Sequence, residues 1–219
     1  MSTRSQIGIL HRDGSITTHY CQSDGYFSWN GRLLHTHYQD RSKVQQLIDL
    51  GMQSVLRENI GEKHDFSWAS KMEQLAGETW QECHQRQHDD VRSTYCLFYH
   101  RDRGDDFIPP ESFASVEDFM GAGMAEQYFY LYDDTRGAWI GCKTNVDDAD
   151  KLNWHLLSDL AAVDWNDGIE NWEDTVTVPS VAIVPLIDDN SPEEIVKALA
   201  PANDVEAIDM DDPAARAIF

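Results

Sequence analysis

"IGILHRDGSITTHYC", residues 7–21, is the stretch that decides the fold class. A short apolar run, 7–10, leads into Asp13-Gly14, and a second run of alternating character follows. Asp-Gly between two such runs marks a β-hairpin, because the tight turn needs positive φ and glycine supplies it without a Cβ clash. Along the second strand Ile16, Thr18 and Tyr20 share one face, and Thr17, His19 and Cys21 share the other. The strand stops before Asp24-Gly25, so "HYCQSDGY" (19–26) reads as the exit of a hairpin.

Outward from this hairpin the periodicity changes. "NGRLLHTHY" (30–38) places Leu33, Leu34, His37 and Tyr38 at helical spacing, and "DRSKVQQLIDLG" (40–51) is a clearer helix. Asp40 or Ser42 caps its start, Val44, Leu47 and Ile48 form its apolar stripe, and Gly51 suits the position after its end. "SKMEQLAGETWQECHQRQ" (70–87) predicts a third helix with Met72, Leu75, Ala76 and Trp80 on one side. "STYCLFYHR" (93–101) predicts a buried strand, and "EQYFYLYDDTRGAWIGCK" (126–143) a second, aromatic hairpin turning near Asp134–Gly137. "VDDADKLNWHLLSDLAAV" (146–163) predicts an amphipathic helix. "TVTVPSVAIVPLI" (175–187) predicts extended edge segments, and "SPEEIVKALA" (191–200) a helix with a capping box of Ser191 and Glu194. Hairpins mixed with helices, rather than alternating with them, predict α+β: aromatic antiparallel hairpins packed with several helices. The expected organisation is a core domain over 1–142 continuing into an acidic, helix-rich C-terminal lobe over 143–219, packed on the same domain.

The charge is unevenly spread. The 219 residues carry 39 acidic and 17 basic side chains, net −22. Residues 1–142 hold 21 acidic and 13 basic, and residues 143–219 hold 18 acidic and 4 basic. Such a field repels nucleic acid and anionic membranes and attracts basic surfaces, so neither direct nucleic-acid binding nor membrane association is expected. No apolar run reaches the ~18 residues of a membrane span, and the polar start "MSTRSQ" lacks a signal-peptide core, which points to the cytoplasm. Four well-separated cysteines without a CxxC argue against a disulfide framework, and Cys96 and Cys142, inside apolar runs, are expected to be buried.

Several residue groups could carry chemistry. His19 with Cys21, His35 with His37, and Cys83 or His84 with His88 are possible metal ligands, but none has an established zinc spacing, so no metal and no cofactor is expected. Cys21 with His19 or His37, oriented by Asp24, would form a cysteine triad, although the acidic neighbourhood disfavours a thiolate. "HRD" occurs at 11–13 and 100–102, without the other elements of a kinase. Arg101 and Arg103 could hold an anion or pair internally with neighbouring aspartates, and the surrounding negative charge favours internal pairing. The segment 145–174 carries nine acidic residues, one basic residue and three tryptophans. Spread carboxylates can approximate backbone phosphates, and exposed tryptophans anchor interfaces.

"TRSQIGIL", "DGSITTHYC", "DGY", "NGRLLHTHYQD", "KVQQLIDLG" and "FYHRDRGDD" together resemble a family of bacteriophage and prophage proteins without an assigned activity. The resemblance spans roughly residues 2–143 and is strongest over 2–61. That family shows His-Trp before its Asp-Gly-Tyr, where this chain has Gln22-Ser23. The resemblance implies a phage or prophage source, and with the charge it yields the expected function: an accessory protein that binds and inhibits a host protein. The surface expected to meet a basic or nucleic-acid-binding partner comprises Asp147, Asp148, Asp150, Trp154, Asp159, Asp164, Trp165, Asp167, Glu170, Trp172, Glu173 and Asp174. The alternative is a small hydrolase or nucleotide-processing enzyme with a pocket around Tyr20, Cys21, Asp24, Tyr26 and His37, with Arg101 and Arg103 beside it.

Overall fold

The computed structural model describes residues 2–64, 77–122, 126–144, 153–162 and 181. The first hairpin pairs β1 (Ser5–Leu10) with β2 (Ile16–Cys21), in the register Ile7 opposite His19. A π-helical turn over Phe27–Gly31 runs into α1 (Arg32–His37), and α2 (Arg41–Asp49) follows. Asp40 caps α2 by accepting the Lys43 N–H at 2.9 Å, so one orphan donor of the first turn is satisfied. Next come β3 (Gln53–Val55), α3 (Trp80–His88), β4 (Leu97–Phe98), β5 (Glu111–Phe113) and α4 (Val116–Gly121). The second hairpin joins β6 (Tyr128–Asp133) to β7 (Ala138–Lys143), and β8 (His155–Leu156) leads directly into α5 (Leu157–Ala162).

These strands form one mixed sheet in the order β4-β3-β2-β1-β6-β7-β8, with β5 pairing β2 outside that path. The two hairpins meet through parallel pairing of β1 with β6, Ile7 opposite Tyr130. The fold is therefore α+β, as the sequence predicts. The alternation along β6 explains why all six of its residues are buried. Tyr128, Tyr130 and Tyr132 enter one core with Ile7, Ile9, Leu34, Tyr38, Leu47, Trp139 and Leu160. Phe129 and Leu131 enter a second core with Leu10, Ile16, Phe119, Ile140, Cys142 and Trp154. A strand covered on both faces reads as a continuous apolar run. Gly8 is required in β1 because a Cβ there would lie 2.5 Å from the Thr17 carbonyl oxygen.

Several expected elements differ. Within 93–101 only Leu97–Phe98 forms a strand, between a 3₁₀ turn over Val91–Thr94 and a π-helical turn over Tyr99–Arg103. The Asp102 carboxylate accepts the Phe98 N–H at 2.7 Å, which draws the chain out of the ladder, and Gly104 closes the turn at φ 78°. The helix expected over 70–87 is described only from Trp80, where Thr79 and Glu82 cap each other reciprocally. Trp80 is exposed there rather than packed on an apolar side. Of the helix expected over 146–163, residues 146–152 and 163 lie outside the described residues; within 153–162 only Leu157–Ala162 is helical, because Leu156 and His155 pair with Ile140 and Gly141 on the edge of the sheet. Of the extended segment expected over 175–187 only Val181 lies within the described residues; its N–H donates to the Trp154 carbonyl at 2.7 Å. The helix expected over 191–200 lies outside them. Among the described residues no helix is long and apolar enough to cross a membrane.

Candidate functional site

The loop after β2 is tied to the N-terminus by backbone and side-chain bonds. Gly25 N–H donates to the Thr3 carbonyl at 2.9 Å, and a Cβ on Gly25 would stand 2.7 Å from the Arg4 carbonyl oxygen. Asp24 adopts φ 57°, a left-handed conformation that aspartate tolerates better than most residues, and its carbonyl accepts the Asn30 N–H. The fully buried Asn30 amide then donates to Ser5 Oγ at 3.2 Å, to the Ser23 carbonyl at 3.1 Å and to Cys21 Sγ at 3.6 Å. Asp24-Gly25 thus marks the hairpin exit, as a bend sewn to the chain start.

This geometry corrects the pocket expected around Tyr20, Cys21, Asp24, Tyr26 and His37. Adjacent strand residues point to opposite faces, so Tyr20 and Cys21 cannot line one cavity. Cys21 is wholly buried under the helices, and burial pushes its thiol up to about 12. Tyr20 is half-buried on the other face, opposite Gln6. Tyr26 is exposed and meets Tyr128 edge-on, while His37 is exposed at the end of α1. The triad partner His19 is buried at 3 % exposure and bonds Gln53 Oε1 at 3.1 Å, and burial lowers its pKa to about 4. It is a core imidazole held in its neutral form. Among the described residues no group of three or more His, Cys, Asp or Glu stands ready to hold a metal ion.

Arg101 and Arg103 are used internally. Arg101 Nε and Nη2 grip the Asp102 carboxylate at 2.9 and 3.0 Å, and its remaining donors reach the carbonyls of Ile60, Gly61 and Cys96. Asp102 also accepts the His64 and Phe98 N–H groups at 2.8 and 2.7 Å. Arg103 donates to Ser54 Oγ at 2.8 Å and lies over the Tyr99 ring. Arg101 thus fastens the 99–104 turn to the segment before His64 through an internal ion pair, and Arg103, which is exposed, ties the turn to β3 through Ser54.

Within the expected acidic surface, Trp154 is buried at 5 % in the second core, which corrects its reading as an exposed anchor. Asp159 is half-buried in the first turn of α5, where the helix dipole favours a carboxylate. Asp147, Asp148, Asp150, Asp164, Trp165, Asp167, Glu170, Trp172, Glu173 and Asp174 lie outside the described residues.

Two surface features join residues that lie far apart in the sequence. At the turn ends of the two hairpins, brought together by the β1–β6 pairing, Arg12, Arg41, Tyr132, Asp134 and Gly137 line an open cleft of about 380 Å³. Asp134 already holds Arg41 there in a two-pronged pair, at 2.5 and 3.2 Å. The second feature is aromatic and cationic. Tyr26, Trp29 and Arg32 follow one another at i, i+3, i+6 along the turn and into α1, and the Arg32 and Arg57 guanidiniums lie 5.9 and 5.6 Å from the Trp29 ring centre. The three-residue spacing is legible in the sequence once 26–37 is read as one helical segment. The arrival of Arg57 is not. Comparison with known proteins gives no match: no family model fits the chain, and neither curated proteins nor solved structures include a significant relative.

Proposed function

We propose that this chain is a bacteriophage-type accessory protein that binds and inhibits a host protein in the cytoplasm of the infected or prophage-carrying bacterium. Its partner presents a basic surface of the kind that binds nucleic acid, and the acidic C-terminal third supplies the complementary face. The observation that carries this reading is the charge distribution, with 18 acidic against 4 basic residues in 143–219. The core site offers the enzymatic alternative little support, since Cys21 and His19 are buried and face away from Tyr20. With Trp154 in the core, the anchor role falls to Trp165 and Trp172.

Long-range attraction of this kind acts over a Debye length of ~8 Å at physiological salt and sets the association rate more than the lifetime. The test takes the partner captured from bacterial lysate, identifies it, and measures its binding kinetics with the purified full chain. Reversal of Asp147, Asp148 and Asp150 to lysine is expected to slow association by about tenfold or more, and raised salt to do the same in the native chain. Trp165→Ala is expected to shorten the lifetime of the complex. Nucleic acid is expected to compete for the partner. An association rate indifferent to salt, or full affinity retained by the triple reversal, overturns the proposal.

A further inference from the structure

We propose that the surface formed by Trp29, Arg32 and Arg57 is a second docking site, which takes an acidic peptide segment of another protein. It uses residues remote in sequence from the acidic third and has the opposite charge, so it stands or falls independently of the function proposed above. Trp29 is 39 % exposed and Tyr26 37 %, although most of the large aromatic side chains of the core segment are buried. Ring area of this size is left in water on a segment whose other side, Phe27, Leu33 and Leu34, is fully used in the core.

Two guanidiniums converge on the indole. Arg41, Arg86, Arg92, Arg101 and Arg136 each make an ion pair. Arg4, Arg12, Arg32, Arg57 and Arg103 make none with a described residue, and of these five Arg32 and Arg57 share one aromatic ring, both lying over Trp29. Their position is firmly set. Arg57 N–H donates to Cys96 Sγ at 3.2 Å, and its carbonyl accepts the Tyr38 hydroxyl at 2.6 Å. On the other side Gly31 packs so closely on Tyr130 that a Cβ would sit 3.3 Å from the ring.

Trp, Tyr and Arg are the residue types that dominate binding energy at protein interfaces. A guanidinium held beside an aromatic ring keeps its planar fork of donors for a carboxylate, which it can bind through two parallel hydrogen bonds. Two such forks at one indole fit a segment with two acidic side chains and an apolar or aromatic residue near them. Single-stranded nucleic acid fits less well. Its affinity grows with the number of phosphates neutralised along the strand, and two guanidiniums at a single ring neutralise few.

The experiment uses the full chain and a fluorescein-labelled decapeptide of alternating Glu and Asp with one central Tyr, read by fluorescence anisotropy at low salt. Two control probes carry the same label: the peptide with Gln and Asn in place of its acids, and a ten-nucleotide oligo-dT. The expected result is saturable binding of the acidic peptide, with a dissociation constant below about 100 μM, and none of the amide peptide. Arg32→Gln with Arg57→Gln should weaken binding by about tenfold or more, and Trp29→Ala by about fivefold. Arg12→Gln, which removes an exposed cation elsewhere, should stay within about twofold. Urea unfolding confirms that each variant is folded. Should the double variant not fold, Arg57→Lys alone keeps the charge, removes the fork and is expected to cost about threefold. No saturable binding at millimolar peptide, equal weakening by Arg12→Gln, full affinity in the double variant, or tighter binding of the oligo-dT overturns the proposal.

Discussion

Asp102 is the residue whose removal the structure prices most clearly. Its side chain is wholly buried and accepts four hydrogen bonds, two from Arg101 and one each from the His64 and Phe98 N–H groups. Asp102→Ala strands both backbone donors, each worth about 1–3 kcal/mol when left unsatisfied in the interior. It also breaks a buried ion pair, for which removal of one partner costs about 3–5 kcal/mol. The two penalties overlap, because Arg101 keeps the carbonyls of Ile60, Gly61 and Cys96 as acceptors and stays 4.8 Å above the Phe98 ring. We therefore expect a loss of about 4 kcal/mol for Asp102→Ala, and about half of that for Asp102→Asn, which keeps the shape and one acceptor. With a urea slope of about 2 kcal/mol per molar, the alanine variant should unfold roughly 2 M earlier. Urea titration followed by tryptophan fluorescence and circular dichroism measures this. A shift below about 0.5 M, or an Asp102→Asn variant as stable as the parent, would refute the assignment of Arg101–Asp102 as the lock of the 99–104 turn.

Two further outcomes follow from the core around β2. All four cysteines are buried and reduced, and the Cys21 thiol is pushed up to about 12, so iodoacetamide at pH 8 should leave the native chain unmodified and add four labels after unfolding; mass spectrometry that finds Cys21 labelled in the native state contradicts its burial. His19 is held neutral with a pKa lowered to about 4 from the ordinary 6.5, chiefly by desolvation, so below 6.5 the unfolded chain takes up a proton that the folded chain refuses. Its contribution to stability is complete above pH 6.5 and declines as pH falls toward 4, at about 1.4 kcal/mol per pH unit. The stability of His19→Gln should therefore fall less steeply than that of the parent between pH 6 and 5 in urea titrations, and parallel slopes would show that His19 is not the group responsible.

Local patterns in the sequence determined a large share of this protein. Asp13-Gly14 and Asp134–Gly137 place both hairpins, Asp40 and the Val44, Leu47, Ile48 stripe place α2, and Cys96 and Cys142 are legible as core residues from the apolar runs around them. These features depend on neighbours within a few positions, where turn geometry, capping and amphipathic spacing act directly. What the pattern could not show is what arrives from far along the chain. Parallel pairing of β1 with β6 buries β6 on both faces. The edge of β7 takes up His155 and Leu156 before a helix can start, and it carries Trp154 from an expected surface into a core. The Asp102 carboxylate pulls the Phe98 N–H out of a strand that its own sequence favours. The same holds for the sites. Tyr20 and Cys21 are neighbours in sequence but stand on opposite faces of the sheet, whereas Trp29 and Arg57 are 28 positions apart and meet. Which face of a strand is covered, and by what, is settled by long-range packing, because the pleat fixes only that successive side chains part company.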